Sequence, residues 1–147
     1  TNGGIWTPFD NFIVDVNSAS IIDDTDFHID QTLWDAASIG GAAPTDGLFF
    51  SGANAVAANG GDLVGLYSPT VFSSGSSVGH LDTDFKPFED ALTSHQLTPG
   101  PSARTLNDVE KGILKDLGFT IIPEPSSTTL FLLSGLLVFK RRRHHRR

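Results

Sequence analysis

The side chains of this 147-residue chain that could hold a metal or move a proton are five histidines (His28, His80, His95, His144 and His145) and 17 acidic residues. No cysteine is present, which removes thiolate zinc sites, disulfides and cysteine nucleophiles. A catalytic zinc takes three protein ligands and keeps one position open for water. Two of the ligands often come from H-E-x-x-H, whose histidines stand one helical turn apart with the general base between them. The chain contains no H-E-x-x-H. His80 lies in "GSSVGHLDTDF", behind a loop of small residues and before Leu81-Asp82. A histidine so placed is either a hydrogen-bonded loop residue or one ligand of a metal site, and His28, His95 and the carboxylates are its only possible partners in the body of the chain.

Other constellations are weaker. "IIDDTDFHID" offers Asp23, Asp24, Asp26 and Asp30 beside His28, but it lacks the central glycine and the glutamate at the twelfth position of a calcium loop, so a solvated acidic loop is expected. Ser76 or Ser77 with His80 and Asp82 is too compressed in sequence for a nucleophile, base and orienter, and no nucleophile-elbow pattern occurs. Neither "ANGGDL" nor "GSSVG" is followed by the Gly-Lys-Ser/Thr of a phosphate loop.

The charge is divided along the chain. Through Phe139 there are four basic residues (Lys86, Arg104, Lys111 and Lys115) against all 17 acidic ones, while the terminal "KRRRHHRR" holds the other six cations. So acidic a body excludes nucleic acid as a partner, because phosphate contact requires a basic surface.

The elements that must position these residues are short. "FDNFIVDV" (Phe9 to Val16), "GLFFSG" and "DLVGLYSP" predict strands closed by Gly or Pro. "DQTLWDAAS" and "ANAVAANGG" predict short helices, the second ending at Asn59-Gly60-Gly61. The clearest helix is "TLNDVEKGILKDLGF": Thr105 and Asp108 are placed as a capping box, and Leu106, Val109, Ile113, Leu114 and Leu117 share a face. Gly118 is placed to end it in a left-handed conformation. Its polar face carries Lys111 and Lys115 but no convergent catalytic set. The length suits one domain with a modest core.

The C-terminal region has its own pattern. Pro123-Glu124-Pro125 precedes an uncharged run in which Thr128, Leu130, Phe131, Leu132, Leu133, Leu136, Leu137, Val138 and Phe139 read as a membrane anchor, and the basic tail opens with Lys140, Arg141, Arg142 and Arg143. A flanking cationic cluster marks the cytoplasmic side of such a segment. In order and composition, residues 122 to 147 closely resemble the PEP-CTERM sorting signal of Gram-negative bacteria. The resemblance implies export, recognition of Pro-Glu-Pro by an exosortase-type enzyme, transient retention in the inner membrane, and delivery to the cell envelope or extracellular matrix.

In the body, "GSSVGHLDTDFKPFEDALTSHQLTPGPSARTLNDVEKGILKDLGF" resembles the end of the catalytic domain of leishmanolysin-like zinc metallopeptidases. Gly75 to Leu81 match the segment of the third zinc histidine, and Asp116-Leu117-Gly118-Phe119 match the end of the following helix. "TPFDNFIVD" and "LFFSGANAVAANGGDLVGLYSP" resemble the insert of surface-directed bacterial members, so the likeness spans about residues 6 to 121. It implies that His80 is a zinc ligand, oriented by an acceptor such as Asp82, and that the other two histidines and the catalytic glutamate lie before Thr1. The family's methionine turn corresponds to Asp90 to His95, with Thr93 in the methionine position.

The expectation is therefore an α+β chain: a loop-rich C-terminal half of a metzincin-like metallopeptidase domain over residues 1 to 121, then a sorting signal over 122 to 147 with a C-terminal transmembrane helix. With no N-terminal signal peptide in view, it is expected to be a piece of an exported zinc endopeptidase acting on peptides, inactive as the 147 residues stand. The alternative is a non-catalytic envelope or matrix scaffold, for which the absent H-E-x-x-H and the absent methionine speak.

Overall fold

A computed structural model describes residues 5–41, 46–84, 91–96 and 104–122. Three short strands form an antiparallel sheet in the order β1-β2-β3: β1 (Ile13–Val14), β2 (Leu48–Phe50) and β3 (Val64–Leu66). Ile13 pairs with Phe50, and Leu48 with Leu66. Helix α1 (Gln31–Ala37) lies between β1 and β2 in the chain, α2 (Ala53–Ala58) between β2 and β3, and α3 (Asp108–Asp116) follows.

β2 is central and apolar on both faces, and it is buried throughout. Leu48 and Phe50 face the main core with Ile13, Ile21, Val64, Leu66, Leu81 and Val109, while Phe49 meets Val14 and Leu63 on the opposite face. The rings of Phe9 and Phe12 pack on Phe50 with centroids 5.2 and 5.1 Å away. Tilted pairs at this spacing add to the gain from area burial alone.

α2 and α3 cross so closely that a side chain is excluded from the contact. A Cβ at Gly112 would lie 2.6 Å from the Cα of Ala55. α2 ends where the Gly pair allows a reversal, with Gly60 and Gly61 at φ +82° and +98°. The Asn59 side chain holds that reversal by donating to the carbonyls of Asp62 and Leu63.

Two boundaries differ from the sequence reading. The predicted strand from Phe9 to Val16 shrinks to Ile13–Val14, because the Asp10 carboxylate accepts from the backbone N–H and hydroxyl of Thr7 and winds residues 10–12 into a 3-10 turn. At the other end, Asp15 accepts from the N–H groups of Asn17 and Ala19, closing a loop that cannot continue as strand. The cap of α3 is Asn107, not Thr105. Its side chain accepts from the Glu110 N–H, and Glu110 reaches back to the Asn107 N–H, so the box sits two residues later than expected.

The expected fold of a metallopeptidase half closed by a transmembrane helix is corrected. What holds is the α+β class, as a small unit of three helices and a three-stranded sheet among the described residues. None of these helices is long and apolar enough to cross a membrane. The longest, α3, has nine residues, or about 14 Å against a hydrocarbon core of ~30 Å. The anchor run from Thr128 to Phe139, the sorting residues Pro123, Glu124 and Pro125, and the basic tail lie outside the described residues.

Candidate functional site

The loop before His80 is built by small residues. Ser76 and Ser77 donate their N–H groups to the Ser73 carbonyl, the Ser77 hydroxyl accepts from the Ser73 N–H, and Gly75 takes a φ of +92°. Val78 stands at φ +67°, a left-handed conformation that a β-branched residue adopts only under strain. What holds it there is burial together with a 2.8 Å hydrogen bond from its N–H to the Tyr67 carbonyl. The Tyr67 N–H in turn donates to the His80 carbonyl at 2.8 Å. The residues around His80 thus extend the sheet beyond β3, with Leu81 bridged to Leu66 on one side and to Ser94 on the other.

The half-buried ring of His80 is fixed by one contact, Nδ1 to the Ser76 carbonyl at 3.0 Å. A carbonyl only accepts, so Nδ1 carries the proton, and in the neutral ring Nε2 presents its lone pair. A metal-binding histidine commonly has this form, with the other ring nitrogen donating to a backbone carbonyl. The acceptor is therefore Ser76 and not Asp82, whose Oδ1 accepts from the Asp84 N–H instead.

Beside Leu81 runs the turn formed by residues 91–95. The Leu81 N–H donates to the Thr93 carbonyl at 2.9 Å, which ties the turn to the residue after His80. Both the N–H and the hydroxyl of Thr93 donate to Glu110 Oε1, at 2.8 and 2.9 Å. Glu110 is buried, and its other oxygen accepts from the Asn107 N–H. The turn and the first turn of α3 are thus joined by a satisfied polar lock.

His95 closes the turn with its ring stacked on Tyr67, centroids 3.7 Å apart and planes 9° from parallel. Sequence reasoning named His95 only as a possible ligand and missed both the stack and Glu110. The one available signal was Asn107-x-x-Glu110, the same capping pattern shifted by two residues. His28 is not drawn in: its Nδ1 lies 3.3 Å from Asp26 in its own loop. There the acidic residues serve the backbone, Asp23 accepting from Thr25, Asp26 from His28, and Asp30 capping α1 through the Leu33 N–H.

Among the described residues no group of three or more histidines and carboxylates converges as a metal cage. His80 holds its ring by one nitrogen, as a zinc-ligating histidine does. A metal there needs further donors from elsewhere. No family model, curated protein or solved structure matches this chain.

Proposed function

We propose that this chain is the C-terminal part of an exported, surface-directed zinc endopeptidase, in which His80 supplies one metal ligand and the remaining ligands come from residues before Thr1. The observation that carries the reading is the His80 ring, held through Nδ1 by the Ser76 carbonyl, which in the neutral ring leaves Nε2 as an acceptor. Zinc, when bound, supplies Lewis acidity toward a peptide carbonyl and lowers the pKa of its water. The chain's own contribution is positional. The strained Val78 and the Tyr67 hydrogen bonds fix the His80 backbone, and the 91–95 turn holds the next residue, Leu81. The Pro123-Glu124-Pro125 segment is the part of the proposal that assigns an exosortase-type partner, transient contact with the inner membrane and an address at the envelope or matrix.

A second reading is favoured by one feature. The Thr93–Glu110 lock satisfies the turn internally and needs no metal above it, as suits a non-catalytic scaffold. One experiment separates the two: zinc content and caseinolytic activity of the upstream-extended protein, beside its His80→Ala variant. Stoichiometric zinc that disappears together with activity in the variant is the expected result. An extended protein without zinc, or a variant that binds it equally well, would leave the scaffold.

A further inference from the structure

Asp84 and His95 present a separate feature that neither the His80 reading nor the fold uses. The His95 side chain is 2% exposed, its Nδ1 lies 3.2 Å from Thr83 Oγ1, and its Nε2 lies 3.4 Å from Asp84 Oδ2. Nε2 is buried and makes no hydrogen bond. Buried ring nitrogens are rarely left so, because the lost hydration is not returned.

The protonation state follows from a chain of hydrogen bonds read back from its end. The Gln96 carbonyl only accepts, so the Ser94 hydroxyl donates to it at 3.0 Å. With its hydrogen used, Ser94 Oγ accepts from the Thr83 hydroxyl at 3.2 Å. Thr83 then has only lone pairs left for His95, and Nδ1–H must donate to it. In the neutral ring this leaves Nε2 as a lone pair 3.4 Å from a carboxylate oxygen, two acceptors side by side with no hydrogen bond between them. Such a pair is stable only with a positive charge between or upon it.

We infer that Asp84 and His95 form a binding site for a divalent cation of the zinc class, distinct from His80. Two donors about 2.0–2.1 Å from a tetrahedral zinc stand roughly 3.3–3.4 Å apart, which is the separation here. Histidine nitrogen with one carboxylate oxygen is a donor set zinc accepts, and Thr83 fills the supporting role of holding the other ring nitrogen. Tyr67 clamps the ring plane. Asp84 is 57% exposed, so its carboxylate is open to solvent and can take a cation from it. No third side chain joins the pair among the described residues. A bound cation would staple the end of the His80 segment to the turn beside it.

The test is site-resolved, because the chain also carries His144 and His145. Zinc chloride alone is titrated into the purified chain while the imidazole nitrogens are followed by NMR, in the parent chain and in Asp84→Asn and His80→Ala. Asp84 is exposed, so its substitution leaves the fold intact where removal of the stacked ring would not. The expected result is a saturable shift of His95 Nε2, weakened at least tenfold by Asp84→Asn and unchanged by His80→Ala. An unmoved His95 ring, or equal affinity in Asp84→Asn, overturns the inference. Zinc seen only at His80 does the same while leaving the proposed function standing. A His95 ring already protonated on both nitrogens and indifferent to zinc identifies the pair as a plain ion pair and also overturns it.

Discussion

Asp116, in the last turn of α3, caps the first turn of α2: its Oδ1 accepts from the N–H and side-chain amide of Asn54 at 2.9 and 2.7 Å, and its Oδ2 accepts from the Ala55 N–H at 2.9 Å. α2 has no capping side chain of its own, since its N-cap is Gly52. A Cβ at Gly52 would collide with Asp116 Oδ2, so the distant carboxylate takes the space that a local cap would need.

Asp116→Ala is therefore expected to destabilise the chain by about 2 kcal/mol, the loss of an N-cap together with stranded donors. Urea unfolding followed by circular dichroism measures it. An effect within the ±0.5 kcal/mol or so of an ordinary surface substitution would show that the cap contributes nothing.

Gly112→Ala probes the helix crossing. The added methyl meets the Ala55 backbone, Cα at 2.6 Å and N at 2.7 Å, and a backbone cannot rotate aside. A loss of about 1–3 kcal/mol is expected from overpacking. Gly79→Ala, with nothing within 4 Å of its Cβ, is the matched control and should change little.

The turn beside Leu81 rests on Glu110. In Glu110→Gln one amide N–H must face the donors of Thr93 or Asn107, and about 2 kcal/mol of stability should be lost. Thr93→Val removes only the hydroxyl bond and should cost about 1 kcal/mol. If the two act through one contact, the double variant loses less than the sum of the singles, which a double-mutant cycle reads directly.

Acid sensitivity has two identified sources. The carboxyl of Asp108 is held below its ordinary value of 3.8, chiefly by a hydrogen bond from Lys111 and then by that residue's charge. Asp23 is lowered from the same value, first by the backbone N–H of Thr25. A carboxyl depressed in the folded state contributes stability above its unfolded pKa and loses it as pH falls through the folded one. Both contributions should be complete above about pH 5 and disappear below the ordinary aspartate value. Asp108→Asn and Asp23→Asn should each flatten the acid limb of a stability–pH curve. Both groups are exposed, so salt should flatten it too.

The sequence by itself determined the pieces whose causes are local. Alternating or continuous apolar runs placed β2 and β3. Gly60 and Gly61 marked the end of α2, and Gly118, at φ +88°, ends α3 as expected. The α+β class and the small-residue loop before His80 were legible for the same reason: a glycine's allowed φ and a strand's period of two do not depend on distant partners. The tertiary structure decided everything that turned on a choice between neighbours. Asn107 prevailed over Thr105 as the cap because its partner Glu110 is also the acceptor for Thr93. The Phe9–Val16 strand was cut short by carboxylates that found backbone donors close by. That Ser76 rather than Asp82 orients His80, and that His95 lies on Tyr67 close to Asp84, depends on segments brought together by folding. Sequence spacing cannot rank such long-range pairs, because their energies are earned only once the sheet has set the register between them.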